Sequence, residues 1–348
     1  MQKKLLTVAV AGALAAPVAA LAQVTLYGSI DTGLKQTSKI LTSTGTDSNL
    51  TMDSQNKKSN RIGFKGSHDL GGGLMANFTI EGGYSSDTGT TPYTTSRKTV
   101  VGLSKGGNSV DLGQNYTLNH STEGIYDPLG QDYGTFTGGL TDIGGNTATA
   151  TGNLQGVTKT TRQANSVTAN FRFGTGGIGV QYAPGEQPGE SSLGTRTGIN
   201  GDFAFGPVVV AAAFATQDTS ATDTQKETQF GAVYTMGAFK FMGGMGTQDR
   251  DSAGELTQFM GGVNYSFSPT LLGRLAYYDV KKEDAAGTET GKANALVAAV
   301  EYSLSKTTMV YGAFGRTSLE GDQNTGATTN VSRRDGTTSI GAGLVVVF

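Results

Sequence analysis

The side chains that could do chemistry in this chain are dispersed charges, not a gathered triad or metal set. Gly102-Leu103-Ser104-Lys105-Gly106 fits the G-x-S-x-G spacing of a serine nucleophile. That chemistry needs a strand-to-helix elbow and a histidine partner, whereas this serine leads into a two-glycine turn between strands. Gly174-Thr175-Gly176-Gly177-Ile178-Gly179 has dinucleotide-binding spacing. It opens a strand, so no helix N-terminus is offered to a pyrophosphate. His68 and His120 have no metal-ligand spacing with each other, and cysteine is absent. Asp249-Arg250-Asp251 with Glu255, and Glu283-Asp284 with Glu289, lack a full cation-ligand pattern and read as solvated loop charge. Neither an enzyme nor a cofactor nor a metal site is expected.

A second kind of chemistry comes from basic residues alternating with apolar ones. Arg61 and Lys65 share a face with Gly63, while Ile62 and Phe64 take the other. Arg162 shares parity with Ser166 and Arg172, opposite Val167, Ala169, Phe171 and Phe173. Lys240 stands between Phe239 and Phe241. Successive strand residues point to opposite faces, so each segment has one apolar and one hydrated side. Charges arranged in this way line water on one side of a sheet whose other side meets an apolar phase.

The elements that must hold them are strands from end to end. Val24 to Leu34 alternates, with Leu26, Gly28, Ile30 and Leu34 on one face and Thr25, Tyr27, Ser29 and Asp31 on the other. Ile340 to Phe348 forms a last strand that stops on phenylalanine. A chain that begins and ends in strands can pair them and leave no sheet edge, as a barrel in lipid requires. Seven short connections carry Gly, Pro, Asn or Ser, in 66–73, 106–108, 174–177, 205–207, 236–238, 267–269 and 304–306. Eight longer polar stretches, near 35–57, 85–96, 116–161, 184–196, 217–227, 248–256, 281–291 and 317–337, separate the hairpins. The expected fold is therefore all-β, a 16-stranded antiparallel transmembrane β-barrel, with short turns at one end and long loops at the other. Tyr27, Phe171, Phe173, Tyr265 and Phe348 are candidates for an interfacial aromatic girdle.

Residues 1–22 read as a cleaved signal peptide, with Lys3-Lys4, a short apolar run and Ala20-Leu21-Ala22, so that 23–348 forms the barrel. No later apolar run approaches the roughly 20 residues of a spanning helix. Mean hydropathy is −0.23, as expected where a polar lumen and loops dilute the lipid-facing residues. Without Lys3 and Lys4 there are 24 basic and 28 acidic residues. That mild acidity argues against nucleic acid as a partner.

The chain resembles the general porins of Gram-negative outer membranes, in their β-proteobacterial branch. The resemblance rests on Val24-Thr25-Leu26-Tyr27-Gly28, Asn60-Arg61-Ile62-Gly63-Phe64-Lys65-Gly66, Arg97 with Val101-Gly102-Leu103, Gly113-Gln114-Asn115-Tyr116, Asn165-Ser166-Val167 and the terminal Phe348. It implies a homotrimer in the cell outer membrane, in contact with lipid and lipopolysaccharide, passing ions and small hydrophilic solutes. Phe348 would then be part of the signal read by the barrel-assembly machinery.

It also implies that the third loop, here 116–161, folds inward to narrow the channel. Asp132 falls at the position of one acidic loop residue of enterobacterial relatives. Their Pro-Glu-Phe-Gly-Gly is here Thr135-Phe136-Thr137-Gly138-Gly139, so a second carboxylate is missing, with Glu123, Asp127 and Asp142 as candidate replacements. Arg61, Lys65, Arg97 and Arg162 would form the basic wall opposite. Acid on a loop facing bases on a wall creates a transverse field across narrow water. One carboxylate lost and three arginines kept predicts mild anion preference. The alternative is a plugged or adhesive barrel. It draws on Val345 and Val347, apolar residues at inward parity. A barrel enzyme would have only His120 near the rim to build a site on.

Overall fold

The computed structural model describes residues 23–42, 45–89, 94–138, 161–190, 192–321 and 333–348. The proposed leader, Asp142 and most of the second half of the 116–161 stretch lie outside the described residues. In chain order the strands are β1 (Gln23–Thr42), β2 (Gly45–Ser54), β3 (Arg61–Gly71), β4 (Leu74–Gly83), β5 (Thr94–Lys105) and β6 (Asn108–Tyr116). Two helices follow, α1 (Leu118–Tyr126) and α2 (Gly134–Thr137). Then come β7 (Arg162–Phe173), β8 (Gly176–Ala183), β9 (Arg196–Phe205), β10 (Val208–Ser220), β11 (Asp223–Met236) and β12 (Phe239–Arg250). The last five are β13 (Gly254–Ser266), β14 (Leu271–Glu283), β15 (Glu289–Ser303), β16 (Thr308–Gly321) and β17 (Arg333–Val347).

Each strand pairs antiparallel with its sequence neighbour except β2 with β3, and β1 pairs with β17 from Ser29↔Val347 to Ile40↔Arg333, so the sheet is closed. Among the described residues there are seventeen strands but sixteen staves. The first half of β1 pairs with β3 (Gln23↔Ser67 to Ser29↔Arg61), and its second half pairs with β2 (Thr32↔Ser54 to Thr42↔Gly45). β2 and β3 are thus two lengths of one stave, interrupted at 55–60.

Closure falls on the terminal residue. Phe348 and Gly28 exchange backbone hydrogen bonds of 2.9 and 3.1 Å. The Phe348 ring lies where a Cβ at Gly28 would stand, so glycine is what lets the ring cover the seam.

Several stretches expected as long loops are strand instead. β10 reaches Ser220 and β11 begins at Asp223, paired through Gln217↔Gln225. β12 and β13 are joined across 251–253, and β1 continues to Thr42 before β2 returns. Where a barrel rises above lipid both faces are wet, so apolar alternation disappears while backbone pairing continues. The polarity of these stretches marks the end of the apolar phase, not the end of the strand.

Lipid-side parity agrees with the alternation: Leu26, Ile30, Leu34, Phe64, Phe171, Phe173 and Phe259 are exposed outward, and Ser29, Asp31, Ser166 and Thr168 are buried inward. Tyr27 departs from the expected girdle. Its hydroxyl donates to Glu81 Oε2 at 3.0 Å on the lumen side, as its parity with Ser29 requires.

The core is also inside the barrel. Ala276, Tyr278 and Val280 of β14, Ala293, Ala295, Val297 and Ala299 of β15, Tyr311 and Ala313 of β16, and Val345 of β17 point inward and pack with Tyr126, Leu129, Tyr133 and Phe136. Small side chains on this arc of the wall make room for the segment after β6. That accounts for Val345, whereas Val347 is exposed near the chain end.

Candidate functional site

The segment after β6 enters the barrel because its N-terminal turn is capped and its apolar residues have a wall to meet. Thr117 caps α1, accepting a hydrogen bond from the His120 amide at 3.2 Å. The Tyr126 ring lies on Gly231 and Gly244, where a Cβ would collide with it. Pro128 sits in the same way on Gly262, and Phe136 on Gly315 and Gly341. Inward glycines on β11, β12, β13, β16 and β17 therefore form a track that brings the loop close to the sheet.

Polar contacts fix its register. The Asp127 carboxylate accepts from the Leu129 amide at 3.0 Å, from the Gln131 amide at 2.6 Å and from the Tyr278 hydroxyl. Arg274 donates to the Pro128 carbonyl at 3.1 Å and to Glu301 at 2.7 Å. Tyr133 donates to Glu301 at 3.0 Å. Burial, reinforced by that carboxylate, pushes the Tyr133 hydroxyl well above the ordinary tyrosine range, so it stays a donor.

The 55–60 interruption of the second stave meets the same loop. Asp31 Oδ2 accepts from the amides of Lys57 and Lys58, both at 2.6 Å, and its Oδ1 accepts from the Tyr311 hydroxyl at 2.8 Å. The Lys57 carbonyl then accepts from the Tyr133 amide at 2.7 Å. Lys57 Nζ reaches Asp132 Oδ2 at 2.8 Å and Glu301 Oε1 at 3.3 Å, over the Tyr133 ring.

On the other arc of the wall the arginines converge on one tyrosine and one carboxylate. Arg97 Nε lies 2.8 Å from Glu81 Oε1, and Arg97 Nη2 donates to the Tyr116 hydroxyl at 3.0 Å. Arg61 Nη1 is 3.9 Å from the same Glu81 oxygen. The Arg162 guanidinium stacks on the Tyr116 ring at 5.2 Å, and His120 stacks on it at 5.0 Å. Counting back in twos from lipid-facing Val101 would place Arg97 outward. The β4–β5 register shifts between Glu81 and Gly83, and this turns Arg97 into the lumen.

The structure thus brings Arg61, Arg97 and Arg162 together. Lys65 is in the lumen but four residues further along β3, its ammonium 5.3 Å from the Tyr27 ring. Asp132 is at the loop surface and paired with Lys57. Glu123 and Asp127 are fully buried, so neither carboxylate meets the aqueous gap, and the expectation that one of them replaces the missing acid does not fit their positions. Asp127 instead ties the 127–131 turn. Sequence reading missed Glu81, Tyr116, Lys57 and Glu301. Glu81 had a signal, since it alternates with lipid-facing Ile80 on a strand pairing with β5. Lys57 had none, because it lies in a break in the stave.

A sequence profile described as Gram-negative porin matches residues 6–322. The outer membrane porin protein 32 of Delftia acidovorans is 29% identical over 333 residues, 90% of this chain and 88% of that protein. The solved structure of an anion-selective porin from Comamonas acidovorans superposes with a TM-score of 0.76 at 24% identity, covering 94% of this chain and 100% of that one. The trimer form of OmpT from Vibrio cholerae superposes with a TM-score of 0.66 at 14% identity, covering 94% and 99%.

Proposed function

The chain belongs to the Gram-negative porins of the outer membrane, and on that premise we propose that it is a passive, mildly anion-preferring channel for ions and small hydrophilic solutes, without catalytic activity. The observation that carries the selectivity is the charge balance of the two facing arcs. Among the described residues, and leaving aside the fully buried Asp31, Glu123 and Asp127, Lys57, Arg61, Arg97, Arg162 and Arg274 stand against Glu81, Asp132 and Glu301, five cations to three anions. The surplus sits on the arginine wall, where Arg61 keeps 26% of its side chain exposed. A net positive ring in narrow water lowers the barrier for anions. The likeness to the anion-selective porin from Comamonas acidovorans supports the same sign. The apolar inner arc that a plugged barrel would use is taken up by the packed loop, so that reading loses its support.

The homotrimer is part of this proposal. Among the described residues, the exposed large apolar side chains of β1–β6 are Val, Leu, Ile and Met with the single aromatic Phe64. β7–β16 carry Phe171, Phe173, Tyr182, Phe214, Tyr234, Phe259, Tyr277 and Tyr302 outward. Aromatic rings belong at a lipid boundary, and the aliphatic arc fits contact with neighbouring copies. Cleavage before Gln23, assembly through Phe348 and contact with lipopolysaccharide complete the proposal.

The experiment is reversal potential and single-channel current of the folded protein in a planar bilayer under a salt gradient. Open currents in steps of three with a chloride-favouring potential support the proposal. A potassium-favouring potential overturns the selectivity, and silence from inserted, folded protein overturns the channel.

A further inference from the structure

Lys57 is a cation withdrawn from water, as Arg196 is. Its side chain is only 5% exposed, yet its ammonium is shared between a loop carboxylate and a wall carboxylate, Asp132 and Glu301. Glu301 also has Arg274 and Tyr133. Among the described residues Lys57 is the one cation on Asp132, whose side chain retains 18% exposure. The position of Lys57 is enforced from behind: Asp31 holds the amides of residues 57 and 58, Gln55 leaves β2 at φ 61°, and Thr135 donates to Asn56 Oδ1 at 3.1 Å. The break in the second stave therefore delivers one charge to one place.

We propose that Lys57 is a positioning residue that sets ion selectivity from the loop side, by cancelling Asp132 so that the arginine wall alone carries the field. This rests on the porin reading above, but it does not depend on the sign of the wild-type preference. Opposite charges 2.8 Å apart in partly dehydrated surroundings cancel each other far more fully than exposed pairs do. Removing the ammonium while keeping the carboxylate returns a negative charge to the gap, facing the arginines.

The test uses Lys57→Met, Asp132→Asn and the double variant in the full chain, with reversal potential as the readout and heat-modifiable electrophoretic migration to confirm folding. Lys57→Met is expected to lower the chloride-to-potassium permeability ratio by about threefold, and the double variant to return it to the wild-type value. Lys57→Arg keeps the charge and the wild-type ratio. Should Lys57→Met fail to fold, Asp132→Asn alone is read, with a shift toward chloride expected from the released ammonium. An unchanged ratio in folded Lys57→Met, or a double variant that stays as cation-shifted as the single one, overturns the proposal. A wild-type channel that prefers potassium, but shifts further in Lys57→Met, overturns the anion-preference reading and leaves this one standing.

Discussion

Arg97 Nε and Glu81 Oε1 face each other at 2.8 Å across adjacent staves, in a pairing that exists because the β4–β5 register, running as Glu81↔Lys98, resumes as Gly83↔Thr94 beside them. Among the described residues Glu81 is the single carboxylate paired with both Arg61 and Arg97, so it tempers the positive wall while holding it in place. Glu81→Gln keeps the shape and removes the charge. The chloride-to-potassium permeability ratio should rise by about twofold, and Arg61→Ser should lower it by a similar factor. Both effects should shrink between about 0.1 and 1 M salt, where the screening length falls from about 10 to about 3 Å. Reversal potentials at the two salt levels decide the matter, and a Glu81→Gln channel that moves toward potassium contradicts this account.

The seat of α1 is testable through a glycine. In Gly231→Ala the new methyl meets the Tyr126 ring, and crowding a packed interior costs about 1–3 kcal/mol. The thermal transition of the purified barrel should fall, and single-channel current should change because the helix is displaced toward the lumen. Wild-type values for both quantities would show that the ring does not rest there.

Arg196 and Glu227 form a bidentate pair, 2.7 and 3.1 Å, with 1% and 6% side-chain exposure. Breaking a buried pair by removing one member costs about 3–5 kcal/mol, whereas replacing both is far milder. Arg196→Met should destabilise the barrel toward chemical denaturation, and Arg196→Met with Glu227→Met should recover most of the loss. Equal loss in single and double variants would assign the stability to the arginine's packing instead of the pair.

Deleting Phe348 removes both backbone hydrogen bonds to Gly28 and the ring over the seam. Slower appearance of the heat-modifiable form in the outer membrane, with unfolded chain held in the periplasm, is expected in pulse-chase. Assembly at the wild-type rate would remove Phe348 from the assembly signal.

Much of the barrel was legible because a stave in lipid must alternate and a short turn must carry Gly, Pro, Asn or Ser. Leu26 against Ser29 and Val167 against Ser166 follow from that rule alone. Legibility ended where alternation stopped carrying information. The paired Gln217 and Gln225 stand above the apolar phase, where nothing distinguishes strand from loop. Ala293 to Ala299 is apolar on the inner face as well, since the loop covers it. Arg97 depends on a bulge that parity cannot foresee, and Lys57 on a break in a stave. The loop carboxylates Glu123 and Asp127 were named from charge alone, and charge does not say which side of a loop faces the wall.

The interruption at 55–60 has a consequence for the order in which the molecule is made. Its clamp joins Asp31 to Tyr311, Tyr133 to Glu301 and Lys57 to Asp132, contacts separated by 280, 168 and 75 residues. Contacts of such long range form late, after the entropy of closing the intervening chain has been overcome. The first stave must therefore already lie beside the last before the latch has both of its ends. A nascent barrel with an open seam would hold a wide, unlatched lumen, and the narrow passage would appear only as the final step of closure.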